Sequence, residues 1–380
     1  MKKVSLFIVL ALALGVFTGV SFAQDPVESV CLVTDLGRVN DGTFNQFAHE
    51  GAIAVTEDFD LDYSFIETES EADYDANIAS CIEEGFDVVV TVGFLIQDAT
   101  TTAAIANPDV YFVGIDQFLV DGPTNYVGIQ FREDQTAFMV GALAALVAND
   151  ADEDVIAGLF GIEIPGLKRF RNGYEQGALY INPEWEVGTN ILGVYASSFV
   201  DQAEGVSLAQ QFLGDGAYVL FGAGGPMGSA GIAEAAAQGV WVIGVDQDEY
   251  FTTFDGGDGV GAEFLISSAL KRVDVGVYDM VALLAEGAFD EFLGGTNYIL
   301  DATNGGVSFA PAHDADIPEE FYDRIAEIEE MLANGELATG VDPVSGDLCV
   351  DLEEMSEGCE AEMGMMDMEP EMEATEEAGD

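Results

Sequence analysis

The stretch Thr34-Asp35-Leu36-Gly37-Arg38-Val39-Asn40-Asp41-Gly42-Thr43-Phe44-Asn45-Gln46 gathers two carboxylates, three amide side chains, hydroxyls and an aromatic ring. Such residues hydrogen-bond and stack a polar, flat molecule. Two more aspartates close apolar runs of one form: "VYFVGIDQF" contains Asp116 and "VWVIGVDQDEY" contains Asp246. Lysine is scarce, with only Lys168 and Lys271 beyond the first three residues. A lysine near several carboxylates fixes their charge state and donates to a ligand oxygen. The alternative for Lys271 is a solvated pair with Asp274 or Asp279. Phe44 in "DGTFNQ" and Phe199 in "ASSFVDQ" each sit in a polar loop, either as buried packing or to stack a flat ring from two sides. The turn through Gly224 and Gly225 lacks the Lys-Ser/Thr of a phosphate-binding P-loop. It fits a close backbone approach to a ligand, or a tight strand-to-helix turn.

Catalytic chemistry has little support. The two histidines, His49 and His313, have no metal-ligand spacing, and no G-x-S-x-G elbow occurs. The reading is therefore a binding protein, not an enzyme, with no cofactor and no metal.

The elements that must position these residues alternate. Val30–Val33 reads as a strand leading through the polar stretch into a helix from Phe47. Then follow a strand at 61–67, a helix at 73–84, a strand at 86–92, a helix at 96–106 and a strand at 110–116. After a helix at 136–147 the series repeats: strands at 155–160, 188–195, 217–221 and 240–246, with helices at 168–181, 202–212 and 229–238 between them. Residues 265–285 read as one helical stretch, followed by a short strand at 305–310 and an amphipathic helix at 318–332. Strand-helix alternation implies right-handed crossovers and parallel sheets. In such sheets ligands bind beyond the C-terminal strand ends, where Asp35 and Asp116 should meet. The internal echo argues for two similar lobes with the ligand between them.

Residues 1–23 read as a secretory signal peptide: Lys2-Lys3, an apolar run from Val4 to Val20, and Ala23 before the cut. The chain carries 71 acidic against 10 basic residues, a net charge of −61, which excludes nucleic acid as a partner. Four cysteines in an exported chain permit disulfides. Cys349 and Cys359 are the expected pair, while Cys31 and Cys81 either pair or remain two buried thiols. The basic cluster Lys168-Arg169-Arg171 suits an interdomain salt bridge. Residues 340–380 are acidic, Met-rich and repetitive, and are expected to be a disordered tail.

Ten ordered motifs carry a resemblance: "VTDLGRVNDGTFNQFAHEG", "VGFLIQDAT", "NPDVYFVGID", "FREDQTAFMVGALAAL", "GIEIPGLKRFRNGYEQG", "NPEW", "YASSFVDQAEG", "GAGGPMGSAGIAEAA", "VIGVDQDEY" and "SALKRVDVGVYD". Together they resemble the basic membrane protein family of ABC-transporter substrate-binding proteins, the nucleoside-binding ones. The resemblance implies an α/β, type I periplasmic-binding-protein fold: two Rossmann-like lobes joined by three crossovers and closing on the ligand. It suggests residues 28–130 plus about 248–285 for one lobe, and 131–247 plus about 286–338 for the other. It implies a purine nucleoside between Phe44 and Phe199, with Asp35 and Asp116 toward the base and Asn40 and Asn45 among the ligand-binding residues. Asp246 and Lys271 would hold the ribose, with Gly224 and Gly225 approaching the sugar. The implied partners are a nucleoside and the permease subunits, at an extracytoplasmic location. Members are usually lipoproteins, whereas no cysteine stands at this chain's expected cut. Rival readings are another small solute in the same fold, a sugar or an amino acid, and a secreted nucleoside hydrolase.

Overall fold

Short β-branched runs, each followed by an amphipathic segment, build two sheets that are nearly copies of one another. The computed structural model describes residues 26–351 and 358–359; the expected signal peptide lies outside them. Chain order gives β1 (Ser29–Leu36), α1 (Phe44–Phe59), β2 (Asp62–Thr68), α2 (Tyr74–Glu84), β3 (Val88–Val92), α3 (Gln97–Ala106), β4 (Tyr111–Ile115) and β5 (Tyr126–Phe131). The second series is α4 (Glu133–Asp150), β6 (Ile156–Phe160), α5 (Pro165–Ile181), β7 (Ile191–Tyr195), α6 (Gln202–Gly214), β8 (Val219–Ala223), α7 (Gly225–Ala237), β9 (Trp241–Asp246) and β10 (Leu265–Lys271). The chain ends through α8 (Val273–Ala285), β11 (Asn297–Leu300), β12 (Val307–Phe309) and α9 (Glu319–Asn334).

One six-stranded sheet runs β2-β1-β3-β4-β5-β11 and the other β7-β6-β8-β9-β10-β12. The pairings are parallel except β10 with β12. Apolar clusters cover both faces of each sheet, as parallel sheets require. The chain passes between the lobes at Arg132, at Arg272 and between β11 and β12. These crossings are tied to one another: the Arg132 amide donates to Leu300 O at 3.0 Å and the Arg272 amide to Gly306 O at 2.9 Å. Each of the two arginines also forks onto the aspartate two residues later, Asp134 and Asp274.

Several expectations are corrected. Residues 265–285 are not one helix: Leu265–Lys271 is strand β10, fully integrated in the second sheet, and the helix begins at Val273. The strand shows no exposed polar face to betray it, because both faces are buried, Ser267 and Ser268 included. Strands β5 and β11 are additional to the expected ones. The lobe boundaries shift accordingly, since β10 belongs to the second sheet whereas α8 and β11 pack with the first. The tail from residue 340 is not wholly irregular: Val341 bridges Leu348, and 340–351 lies against α5. Its remaining expected disorder falls outside the described residues.

Both cysteine pairs are disulfides, Cys31–Cys81 and Cys349–Cys359. The first ties β1 to α2, which resolves the alternative left open by the sequence. Its loop spans 50 residues, worth about 4 kcal/mol on a chain-entropy estimate. Replacing Cys31 and Cys81 by alanine should therefore lower the urea midpoint markedly, as read by circular dichroism. A midpoint equal to the native chain's would show that the loop is closed by packing alone.

Helices α4 and α5 approach each other closely. A Cβ on Gly173 would stand 2.4 Å from Asp134 O, and one on Gly177 1.9 Å from Phe138 O. This contact sets Arg169 of α5 beside Glu133, the first residue of α4. The basic cluster therefore serves the second lobe and not an interdomain bridge: Arg169 pairs with Glu133, Arg171 with Glu175 and Lys168 with Asp347.

Candidate functional site

The C-terminal ends of both sheets face each other across one cleft, lined by Asp35, Leu36, Asp41, Phe44 and Asn45 from the first loop. Gly93, Phe94 and Asp116 complete the first lobe's side. Phe199, Gly224, Gly225, Asp246, Lys271 and the start of α5 form the other. Nine of the ten expected residues thus meet there. Asn40 does not line it. Asp41 explains why: its carboxylate accepts from the amides of Thr43, Asn45 and Gln46 at 3.0–3.1 Å, capping α1. The turn so formed carries Asn40 outward, where it is exposed. Phe94, Ile164, Leu167 and Phe170 were missed. Phe94 follows a strand end and could have been found by the logic that found Asp116; the α5 residues carry no such mark.

The two echoing aspartates share a backbone feature. Asp116 has φ +60° and Asp246 φ +64°, the left-handed region that few side chains other than Asn and Asp tolerate. Leaving their strands this way turns both carboxylates toward the cleft. Their following glutamines are fixed. Gln117 Nε2 donates to Gly93 O at 2.9 Å within the first lobe, and Gln247 Nε2 reaches Thr43 O across the cleft at 3.2 Å.

Lys271 is the centre of the electrostatics. Its ammonium lies 2.7 Å from Asp116 Oδ2 and 2.9 Å from Glu133 Oε1, not beside Asp274 or Asp279. It sits 4.9 Å from the Phe44 ring centroid, 4.8 Å from Phe131 and 5.8 Å from Phe170. Burial would strip its proton, but Asp116, Glu133 and Asp246 outweigh burial and hold its pKa above the ordinary lysine value. Burial pushes Asp246 up to about 7, with Lys271 opposing and Asp116 adding to the rise. Burial likewise raises Asp35 to about 6, against the hydrogen bonds it accepts from the Tyr74 hydroxyl and the Leu36 amide.

The acceptors are unevenly used. Buried Asp116 Oδ1 and Asn45 Oδ1 have no hydrogen-bond partner, and the Asp246 carboxylate accepts none from the described residues. Buried acceptors left open in a cleft are places for ligand donors. Phe199 lies against the Gly161 backbone, where an added Cβ would stand 2.2 Å from the ring. No group of three or more His, Cys, Asp or Glu suited to a metal ion occurs among the described residues.

Residues 28–336 match the family described as ABC transporter substrate-binding protein, PnrA-like. The chain belongs to that family. It is 30% identical over 319 residues to the ABC transporter nucleoside-binding protein BmpA of Lactococcus lactis subsp. cremoris, covering 80% of this chain and 87% of that one. A CD4+ T-cell-stimulating antigen of Listeria monocytogenes is 28% identical over 324 residues, 81% of this chain and 87% of its own. Among solved structures, an ABC transporter solute-binding protein from Aeropyrum pernix K1 superposes with a TM-score of 0.71 at 26% identity. That match covers 81% of this chain and 92% of the other. The family's role is substrate binding for an ABC transporter, and the two lobes with their interlobe cleft are the fold expected for it. Among the described residues no helix is long and apolar enough to cross a membrane.

Proposed function

We infer that this protein captures a nucleoside, a purine one by its cleft chemistry, outside the cytoplasm and hands it to an ABC permease without chemical change. The observation that carries the reading is the pairing of aromatic rings with open carboxylates in one cleft: Phe44 and Phe199 line it together with Asp116 and Asp246. Rings stack a base, while a carboxylate accepts two vicinal hydroxyls at once. Asp35, Asp116 and Asn45 are assigned to the base. Asp246, Lys271 and the Gly224-Gly225 turn are assigned to the ribose. Four aspartates face the cleft against a single lysine, which repels phosphate and favours the uncharged nucleoside over a nucleotide. The name of the Lactococcus relative supports the same class of ligand.

The test is calorimetric titration of refolded protein, stripped of carried-over ligand, with adenosine, guanosine, inosine, cytidine, uridine, ribose and adenine. Sub-micromolar nucleoside binding supports the reading. Silence from all of them, with heat from a sugar or amino acid, keeps the fold and overturns the function; conversion of inosine to hypoxanthine would make it a hydrolase. Phe199→Ala should weaken nucleoside binding by about tenfold, since one base-aromatic stack is worth about 1–3 kcal/mol. An unchanged dissociation constant would place the base elsewhere.

A further inference from the structure

The family match ends at residue 336, yet the chain continues as a strap over 337–351 that is packed on the second lobe. The strap is anchored at defined points. Thr339 Oγ1 donates to Asp134 Oδ2 at 2.6 Å, beside the first crossing. Asn172 Nδ2 donates to Gly346 O at 2.6 Å, and Lys168 pairs with Asp347 at 2.8 Å. Gly346 lies so close to α5 that a Cβ there would stand 2.6 Å from Pro165 O. Asp342 Oδ1 accepts from the amides of Val344 and Ser345, which shapes the turn, and Cys349–Cys359 closes its far end.

That turn presents two carbonyls to one buried group. Arg169, only 2% exposed, donates through Nη1 to Pro343 O at 3.2 Å and Val344 O at 3.0 Å. Its Nε donates to Glu133 Oε2 at 2.6 Å. The other oxygen of Glu133 faces Lys271, and Lys271 bridges to Asp116 in the cleft. A continuous chain thus runs from part-buried strap carbonyls through the buried Arg169, Glu133 and Lys271 to Asp116. Guanidinium donors that lose buried acceptors must turn to find water, because unpaired buried donors are costly. Arg169 would then loosen its hold on Glu133, and Glu133 would be free to draw Lys271 away from Asp116. The face of α5 opposite the cleft carries the strap, while Ile164, Leu167 and Phe170 at its start line the cleft.

We propose that the strap, clamped by its disulfide, acts through Arg169 and Glu133 to place the Lys271 ammonium in the ligand cleft. Arg169 and the strap are positioning elements; neither needs to touch the ligand. The affinity consequence rests on the nucleoside reading, whereas the placement of Lys271 does not.

The scarcity of lysine supplies a direct readout. In the chain from Gln24 to its end, labelled with [13Cε]lysine, Lys168 and Lys271 give two signals. Lys168→Arg assigns them, and Lys271, whose ammonium lies 4.8–5.8 Å from the Phe44, Phe131 and Phe170 ring centroids, should be ring-current shifted. Two variants loosen the strap: Cys349→Ser with Cys359→Ser, and separately Asp342→Ala, which leaves both disulfides in place. In ligand-free protein the Lys271 signal should move or broaden in each, and adenosine and inosine, titrated separately, should bind at least fivefold more weakly. A Lys271 signal unmoved in both variants overturns the proposal, even where Lys168 moves, because a strap that only braces the surface would shift Lys168 alone. A moved Lys271 with unchanged affinity removes the positioning role. If the native chain binds neither nucleoside, the functional reading fails, and the lysine signals still decide whether the strap places Lys271.

Discussion

Asp246→Ala should weaken nucleoside binding by at least about a hundredfold while raising the stability of the ligand-free protein. Both effects come from one fact: the carboxylate is buried at 5% exposure and accepts no hydrogen bond from the described residues. In the complex it would accept from two ribose hydroxyls. Hydrogen bonds to a charged group are worth about 1.5–3 kcal/mol each, so losing both weakens binding by roughly 10²- to 10⁴-fold. A 2′,3′-dideoxynucleoside should lose the same energy against the native protein and nothing further against the variant. Calorimetry on the four combinations measures that coupling. If the dideoxy compound suffers equally in both proteins, the ribose is held elsewhere.

The stability half follows from linkage. The folded chain holds the Asp246 proton up to about pH 7, against an ordinary aspartate value of 3.8 in the unfolded chain. Between those values the folded state binds more protons, so stability falls as pH rises through that window. Above about pH 7 the charged, buried group carries its full penalty. Asp246→Asn removes the titration, so the ligand-free variant should melt above the native protein at pH 8, with the gap closing toward pH 4. A binding residue that costs stability when the cleft is empty is the expected trade between function and stability.

The sequence carried the parts of this site that sit where strands end. Asp35, Asp116 and Asp246 each close a β-branched run, and a parallel sheet must bring such ends to one edge. The repeat of "GIDQ" as "GVDQ" even foreshadowed the shared left-handed backbone of Asp116 and Asp246. What stayed hidden depended on contacts distant in sequence. Leu265–Lys271 looked helical because a strand buried on both faces has no alternation to show. Glu133 looked like an ordinary charge in a chain rich in acid and Arg169 like part of an interdomain bridge, since only the close approach of α4 and α5 places them together. Asn40 was drawn in by its neighbours' chemistry, although the cap made by Asp41 turns it away. The return of β11 to the first sheet follows from the crossings, which no local pattern reveals.

Lys271→Met should destabilise the protein by about 3–5 kcal/mol at pH 7, because removing one partner of a buried ion pair leaves uncompensated charge behind. Here the remainder is Asp116 and Asp246 facing each other, with Glu133 still held by Arg169. In the native protein the lysine's pKa is held above 10.5, so its stabilising contribution is complete below that value and is lost only as pH rises through the folded value. Native stability should therefore show no decline from this group between pH 6 and pH 10. The variant should behave oppositely. Its carboxylates, already raised by burial, lose their cation and rise further, so its stability should fall as pH climbs from 5 to 8 and recover in acid. Urea unfolding across that range reads the slope directly. A pH-independent loss would mean that Lys271 contributes packing against Phe44 and Phe131 and little charge. The same substitution cuts the Lys271–Asp116 bridge, which joins a strand of one lobe to a strand end of the other. With that tie gone and Gln247 to Thr43 left as an interlobe hydrogen bond, the ligand-free lobes should separate. Small-angle scattering would register this as a larger radius of gyration than the native chain's, and adding nucleoside should fail to reverse it.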